Sequence, residues 1–264
     1  MDILLLMYIT AGCFGAIIGS FLNVVILRLP GNKESIVFPS SHCTSCMEDL
    51  HWYENIPVLS FLVLRGRCSH CREKISLQYP LVEIAMTLLS LALVQRFGLS
   101  IATAFYFLFC AALLVIIVID IHHQIIPDVI SLPGIGIGIL FSLLSPTLSW
   151  QDSVIGILAG GGILYSIAWL YYLWRKVDGM GGGDIKLLAM IGAFLGWHAL
   201  PFVIFTSSLS GVVVGVFAMI KQKKGGQTRI PFGPFLSIAA LLYLFFQENV
   251  LQLYQLYLSI AMPG

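Results

Sequence analysis

Charge is what this sequence has little of. Only 10% of its 264 residues are Asp, Glu, Lys or Arg, against 58% hydrophobic residues and a mean hydropathy of +0.94. Soluble globular chains carry about 25% charged residues, so the composition excludes an ordinary soluble domain and predicts an all-helical polytopic membrane protein. A formal net charge of +1 gives nucleic acid nothing to bind. The sequence shows no internal repeat and no low-complexity segment. It also lacks a P-loop, and lacks the βαβ pattern and GxGxxG fingerprint of soluble nucleotide-binding folds. A cleavable signal peptide is missing too. Asp2 stands where a basic n-region belongs, no small-residue cleavage site follows, and Met1–Leu29 reads as a first membrane span.

Apolar runs are present in quantity. They cover Ile3–Leu29, Leu81–Val94, Ile101–Ile119, Ile125–Leu144, Val154–Trp174, Ile185–Trp197, Ala199–Ile220 and Ile230–Phe246. Read as eight spans with the N-terminus outside, they leave thirteen of the fourteen Lys and Arg residues in inner loops, with only Arg96 outside. Fusing Ile185–Ile220 into one span would move the Lys221–Arg229 cluster outside. A hairpin turning at Trp197–Pro201 is therefore expected. The tail Gln247–Gly264 either extends the last helix or lies in the interface.

Between the first two spans, a polar segment of residues 30–80 holds Cys43-x-x-Cys46 and Cys68-x-x-Cys71. Each Cys-x-x-Cys turn points two thiolates at one ion, and two turns complete a closed tetrahedral set. That spacing predicts a structural zinc held by Cys43, Cys46, Cys68 and Cys71. Zinc is preferred to disulfides because the charge pattern puts this segment in the reducing cytoplasm. His42, His51 and His70 are not needed as ligands, and Cys13 and Cys110 are read as small buried hydrophobes.

Two acids sit at the ends of apolar runs. Asp120 closes Ile101–Ile119, and Asp184 follows Gly181, Gly182 and Gly183 at the head of Ile185–Trp197. Glycine opens unusual backbone conformations and allows close approach, and acids at membrane depth are costly and usually functional. The charge count puts both at the cytoplasmic ends of their helices. Two adjacent carboxyls share a proton, so one gives while the other takes, which suits water attack on an amide. An acid pair in a proton-coupled transporter fits this pattern equally well. Asp128, after Pro127, is read as capping and suiting the dipole at the start of the following helix, or as interfacial, and Glu83 as structural.

Five blocks in order resemble the bacterial type IV prepilin peptidases, intramembrane aspartic proteases of the GxGD class. They are Gly19–Pro30, the two cysteine pairs, Tyr79-Pro80-Leu-Val-Glu83, Asp120 through Pro127-Asp128, and Gly181-Gly182-Gly183-Asp184-Ile-Lys186. The resemblance implies Asp120 and Asp184 as the catalytic dyad, with Gly181, Gly183 and Lys186 shaping the loop. It implies a multi-pass protein of the bacterial cytoplasmic membrane, embedded in lipid, with residues 81–264 forming the peptidase domain. The substrate would be a short basic leader on prepilins or pseudopilins, cut at the cytoplasmic face. Methylation of the new N-terminus by S-adenosylmethionine would follow. Glu48, Asp49, Glu54 and Glu73 are candidates for meeting that leader, against a reading as solvated surface charges. The competing readings are the transporter and a non-catalytic scaffold of a pilus or secretion assembly.

Overall fold

The computed structural model describes residues 3–31, 35, 40–176, 181–222 and 231–261. Among these residues every regular element is helical: α1 Ile3–Arg28, α2 Leu59–Val63, α3 Gln78–Phe97, α4 Ile101–His123, α5 Asp128–Leu144, α6 Trp150–Arg175, α7 Gly182–Leu195, α8 Leu200–Gln222 and α9 Gly233–Ala261. Six helices are long and apolar enough to cross a membrane. Of the other three helices, α2 has 5 residues, α5 has 17 and α7 has 14. At about 1.5 Å per residue, α7 falls well short of a hydrocarbon core about 30 Å thick. The basic residues Lys33, Lys223, Lys224 and Arg229 and the stretch Asp178–Met180 lie outside the described residues.

Local chemistry sets the boundaries. Pro127 takes the N-cap of α5 with φ −67° and ψ 124°, so that helix begins at Asp128 and not at Ile125. Ser149 caps α6 by accepting the Asp152 N–H at 3.1 Å. The chain breaks after α7 at Gly196, whose φ of +75° suits glycine, and a short 3-10 turn, Trp197–Ala199, leads into α8. A second tie fixes this corner: the Trp197 indole donates to Asp152 Oδ1 at 3.0 Å. The last helix continues past a kink at Phe246, so residues 247–261 of the tail extend α9.

The chain forms two compact units, Met1–Val118 and Ile119–Gly264. In the first, α1 packs on α3. The Ser90 hydroxyl donates to Ala11 O at 2.8 Å and the Asn23 amide to Tyr79 O at 3.1 Å. Glu83 is structural, accepting the Val58 N–H at 2.7 Å. Cys110 is fully buried, but Cys13 is exposed, contrary to its reading as a buried hydrophobe.

In the second unit α7 is the core. All residues from Leu187 to Phe194 are buried, against α5 and α6. Gly156 of α6 and Gly192 of α7 meet backbone to backbone, and a Cβ on either would overlap the other's carbonyl. Beside them the Ser153 hydroxyl donates to Ala193 O at 2.8 Å. Small residues of this kind let membrane helices approach closely. Gly156→Leu should therefore cost more than the 1–3 kcal/mol typical of overpacking, because backbone cannot move aside as a side chain can. Thermal unfolding in detergent should show that loss. Gly162→Leu, on the same helix with no atom within 4 Å of its would-be Cβ, should unfold like the parent.

Candidate active site and metal centre

Both cysteine pairs close on the same turn. The Cys43 N–H donates to Glu48 O and the Met47 N–H to Cys43 O, each at 2.9 Å; the Cys68 N–H donates to Glu73 O at 2.9 Å and the Arg72 N–H to Cys68 O at 3.1 Å. Met47 and Arg72 occupy matching left-handed positions, with φ of 60° and 61°. Matching backbone bridges, His42 to Asp49 and Arg67 to Lys74, close the two turns. The segment thus contains a repeated knuckle, contrary to the expectation of no internal repeat. Its signal was the shared Cys-x-x-Cys-x-Glu of Cys43–Glu48 and Cys68–Glu73.

The four thiol sulfurs lie within 4.8 Å of one another. The Cys46 backbone N–H is the main influence holding the Cys43 thiol down to about 7. Cys71 goes the other way. The Glu73 backbone N–H favours its thiolate, but desolvation and the neighbouring Cys46, Cys68 and Cys43 outweigh that and push it up to about 12. One thiolate forms readily and the last scarcely at all. A shared cation relieves that repulsion, so the donor set fits a metal ion. The histidines are engaged otherwise: His42 Nδ1 lies 3.1 Å from Ser40 O, the His51 ring stacks on Tyr53, and His70 Nδ1 lies 2.9 Å from Ser69 Oγ.

The acids of this segment divide. Glu48 and Glu73 are exposed, and Asp49 accepts the Ser40 hydroxyl at 2.8 Å. Glu54 is buried and accepts the His51 N–H at 2.8 Å, so it is no solvated surface charge. The Ser69 hydroxyl, ahead of the His51 N–H, holds its carboxyl below the usual range.

In the second unit, Asp120 lies in the last turn of α4 and is 4% exposed. Its Oδ2 accepts the backbone N–H of Gly233, the first residue of α9, at 2.9 Å. Asp184 lies half-buried in the first turn of α7, near enough for the two carboxyls to interact electrostatically. Each carboxyl therefore sits at a helix N-terminus, Asp184 at that of α7 and Asp120 at that of α9, where unpaired N–H groups favour oxygen acceptors.

Of the two roles glycine could play here, unusual backbone and close approach, the structure shows the second. Gly181 has an ordinary extended backbone, φ −70° and ψ 136°, and Gly182 and Gly183 already belong to α7. What Gly183 provides is space, since a Cβ there would lie 2.8 Å from Ile126 Cβ. Gly233 provides the same on the other side. Its Cβ would lie 2.7 Å from Asp120 Oδ2 and 3.1 Å from Ile126 Cδ1. Ile126 thus fills the gap between the two glycines. Sequence reasoning missed Gly233, although a glycine followed by Pro234 at a helix start was a usable signal.

Lys186 and Asp128 pair with each other. The ammonium lies 2.7 Å from both Asp128 oxygens, with the two side chains 37% and 54% exposed. Asp128 lies in the first turn of α5, where its charge suits the helix dipole, and it also ties the start of α5 to α7. Exposed pairs of this kind contribute about 0–1 kcal/mol.

Fold and site together define a multi-pass helical membrane protein with a carboxyl pair set into its helix ends and a separate four-cysteine centre. The chain belongs to the type IV leader peptidase family, whose model matches residues 107–216, preceded by a bacterial peptidase A24 N-terminal domain over residues 13–97. Curated relatives named prepilin leader peptidase/N-methyltransferase match most of its length. The Pseudomonas putida protein is 38% identical over 250 residues, covering 87% of each chain. The Stutzerimonas stutzeri protein is 38% identical over 258 residues, covering 89% of each. The Pseudomonas aeruginosa protein is 37% identical over 262 residues, covering 91% of this chain and 90% of the relative. No solved structure matches. Membership of this family leaves the transporter reading without support.

Proposed function

We propose that this protein cleaves the N-terminal leader of type IV prepilins or pseudopilins, with Asp120 and Asp184 as its catalytic pair. The observation that carries the reading is that Ile126 packs against both Gly183, beside Asp184, and Gly233, whose N–H holds Asp120, so two acids far apart in sequence flank one side chain inside a leader peptidase family chain. A water between them loses its proton to one carboxylate as its oxygen attacks the scissile carbonyl. The other carboxyl gives its proton to the carbonyl oxygen. As the C–N bond breaks, the first carboxyl passes the proton it took from water to the departing nitrogen, and the second, now a carboxylate, takes a proton back from a hydroxyl of the tetrahedral intermediate. The proton economy belongs to the pair and not to either residue. The Gly233 N–H fixes the rotamer of Asp120, and Ile126 keeps the two helix ends apart. Gly181, Gly183 and Lys186 shape the approach to Asp184.

In this reading the pair faces the cytoplasm of a bacterial inner membrane, an orientation supported by the basic residues in the inner loops. The relatives' names add N-methylation. S-adenosylmethionine is then a second substrate, supplying the methyl group for the newly freed N-terminal nitrogen. Incubating purified protein with a prepilin and S-adenosylmethionine, then weighing the product, tests both steps. Loss of the leader mass together with one added methyl group is expected, and an unchanged prepilin mass would refute the proposal.

The metal of the cysteine centre is zinc in this reading, held by Cys43, Cys46, Cys68 and Cys71, with no position left for chemistry. Purified protein should contain one zinc per chain. Cys46→Ser should lose it and expose residues 40–77 to limited proteolysis, while Asp184→Asn should keep it. Metal analysis finding no zinc in intact protein would exclude this assignment.

A further inference from the structure

The knuckle segment carries a surface that the proposed chemistry does not use. Arg65, Arg67 and Arg72 line a groove of about 430 Å³ together with Val63 and Leu64. All three arginines are exposed, and among the described residues none is paired with a carboxylate. Residues 63–74 contain four basic side chains and one acid, Glu73. Beside the groove, α2 presents bare apolar side chains: Leu59 is 60% exposed, Leu62 63% and Val63 80%. Trp52, just upstream, is 80% exposed.

One hydrogen bond sets the level of this surface relative to the candidate span α3 of the same unit. The Val58 N–H, immediately before α2, donates to Glu83 at 2.7 Å. Glu83 lies inside α3, a candidate span beginning at Gln78, so its Cα is roughly 7 Å along that helix. The other end of α2 is folded back at Gly66, whose N–H donates to Phe61 O and whose carbonyl accepts the Ile75 N–H, both at 2.8 Å. The left-handed turn at Gly66, φ 65°, brings Arg65 and Arg67 round beside Arg72. The start of the short helix is therefore held level with the first turns of α3.

We propose that α2 and the Arg65–Arg67–Arg72 groove form a peripheral membrane-docking surface that binds the phosphate headgroups of anionic phospholipid. Leu59, Leu62 and Val63 enter the edge of the acyl region, Trp52 sits at the interface, and the three guanidiniums take phosphate oxygens bidentately. Charge selects this occupant. A basic leader peptide is repelled by the groove, whereas an anionic bilayer surface attracts each arginine. Docking there holds the cysteine centre against the membrane independently of any cleavage.

Hydrogen exchange over residues 59–74 tests this, with full-length protein in nanodiscs of phosphatidylcholine with and without phosphatidylglycerol. Slower exchange is expected with phosphatidylglycerol, and high salt should erase the difference. The Arg65→Gln, Arg67→Gln, Arg72→Gln triple variant should lose it, and the matching Lys variant, which keeps the charge, should retain much of it. Titrating phosphatidylglycerol into detergent-solubilised protein should show affinity falling about fivefold per arginine removed. Three results would overturn the proposal. They are equal exchange in both disc types with the unaltered protein, full protection by inorganic phosphate in phosphatidylcholine discs, and protection that appears only when a prepilin is added.

Discussion

Asp184→Asn should lower leader cleavage by about four orders of magnitude or more, the scale on which removal of a catalytic group registers. The substitution keeps the size of the side chain, its place in the first turn of α7 and the buried packing from Leu187 to Phe194. Protein yield, zinc content and helix content should therefore be unchanged. Asn can neither take a proton from water nor give one to the leaving nitrogen. Asp120→Asn should behave alike, since an amide oxygen still accepts the Gly233 N–H that now lies 2.9 Å from Oδ2. Prepilin processing in membranes, followed alongside protein level, is the measurement. Intact processing by either variant would return the chain to the scaffold reading.

Gly233→Ala is the second large effect expected, and the less obvious one. A methyl group at 233 would stand 2.7 Å from Asp120 Oδ2 and 3.3 Å from its Cγ, closer than carbon and oxygen normally approach. The carboxyl must turn or the start of α9 must move out, and either costs the hydrogen bond. Misplacing a reacting group by about 1 Å lowers rate about 100-fold, so kcat/KM for leader cleavage should fall on that scale while the protein stays folded. The same methyl would also press on Ile126 Cδ1 at 3.1 Å, which provides a control. Adding Ile126→Ala removes that crowding but leaves Asp120 displaced, so the double variant should stay slow. Full recovery would assign the effect to packing and not to the carboxyl.

The helices and the two acids were legible in the sequence because each rests on local pattern. Apolar runs fix helices, and an acid at the end of such a run is conspicuous. The paired Cys-x-x-Cys spacing announces its own geometry in the same way. What the sequence hid depends on contacts between distant residues. Nothing near Asp120 names Gly233 as its partner, and nothing near Gly183 names Ile126 as the side chain its missing Cβ makes room for. Pro127 marks Asp128 as an acid at a helix start, where it lies, but only the fold brings Lys186 within 2.7 Å of it. The short α7 also read as a span of its own, since hydropathy measures apolar character and not whether neighbouring helices or lipid will surround it.

The seam at Gly156 and Gly192 has a dynamic corollary. With two main chains in contact, α7 can neither roll nor piston without carrying α6 along, so the helix bearing Asp184 is an anchor and not a lever. Amides across Leu187–Phe194 should be the last in the second unit to exchange with deuterium. Whatever yields to receive an extended polypeptide must then be sought among the other helices of that unit, with the anchored acid as the fixed point toward which they move.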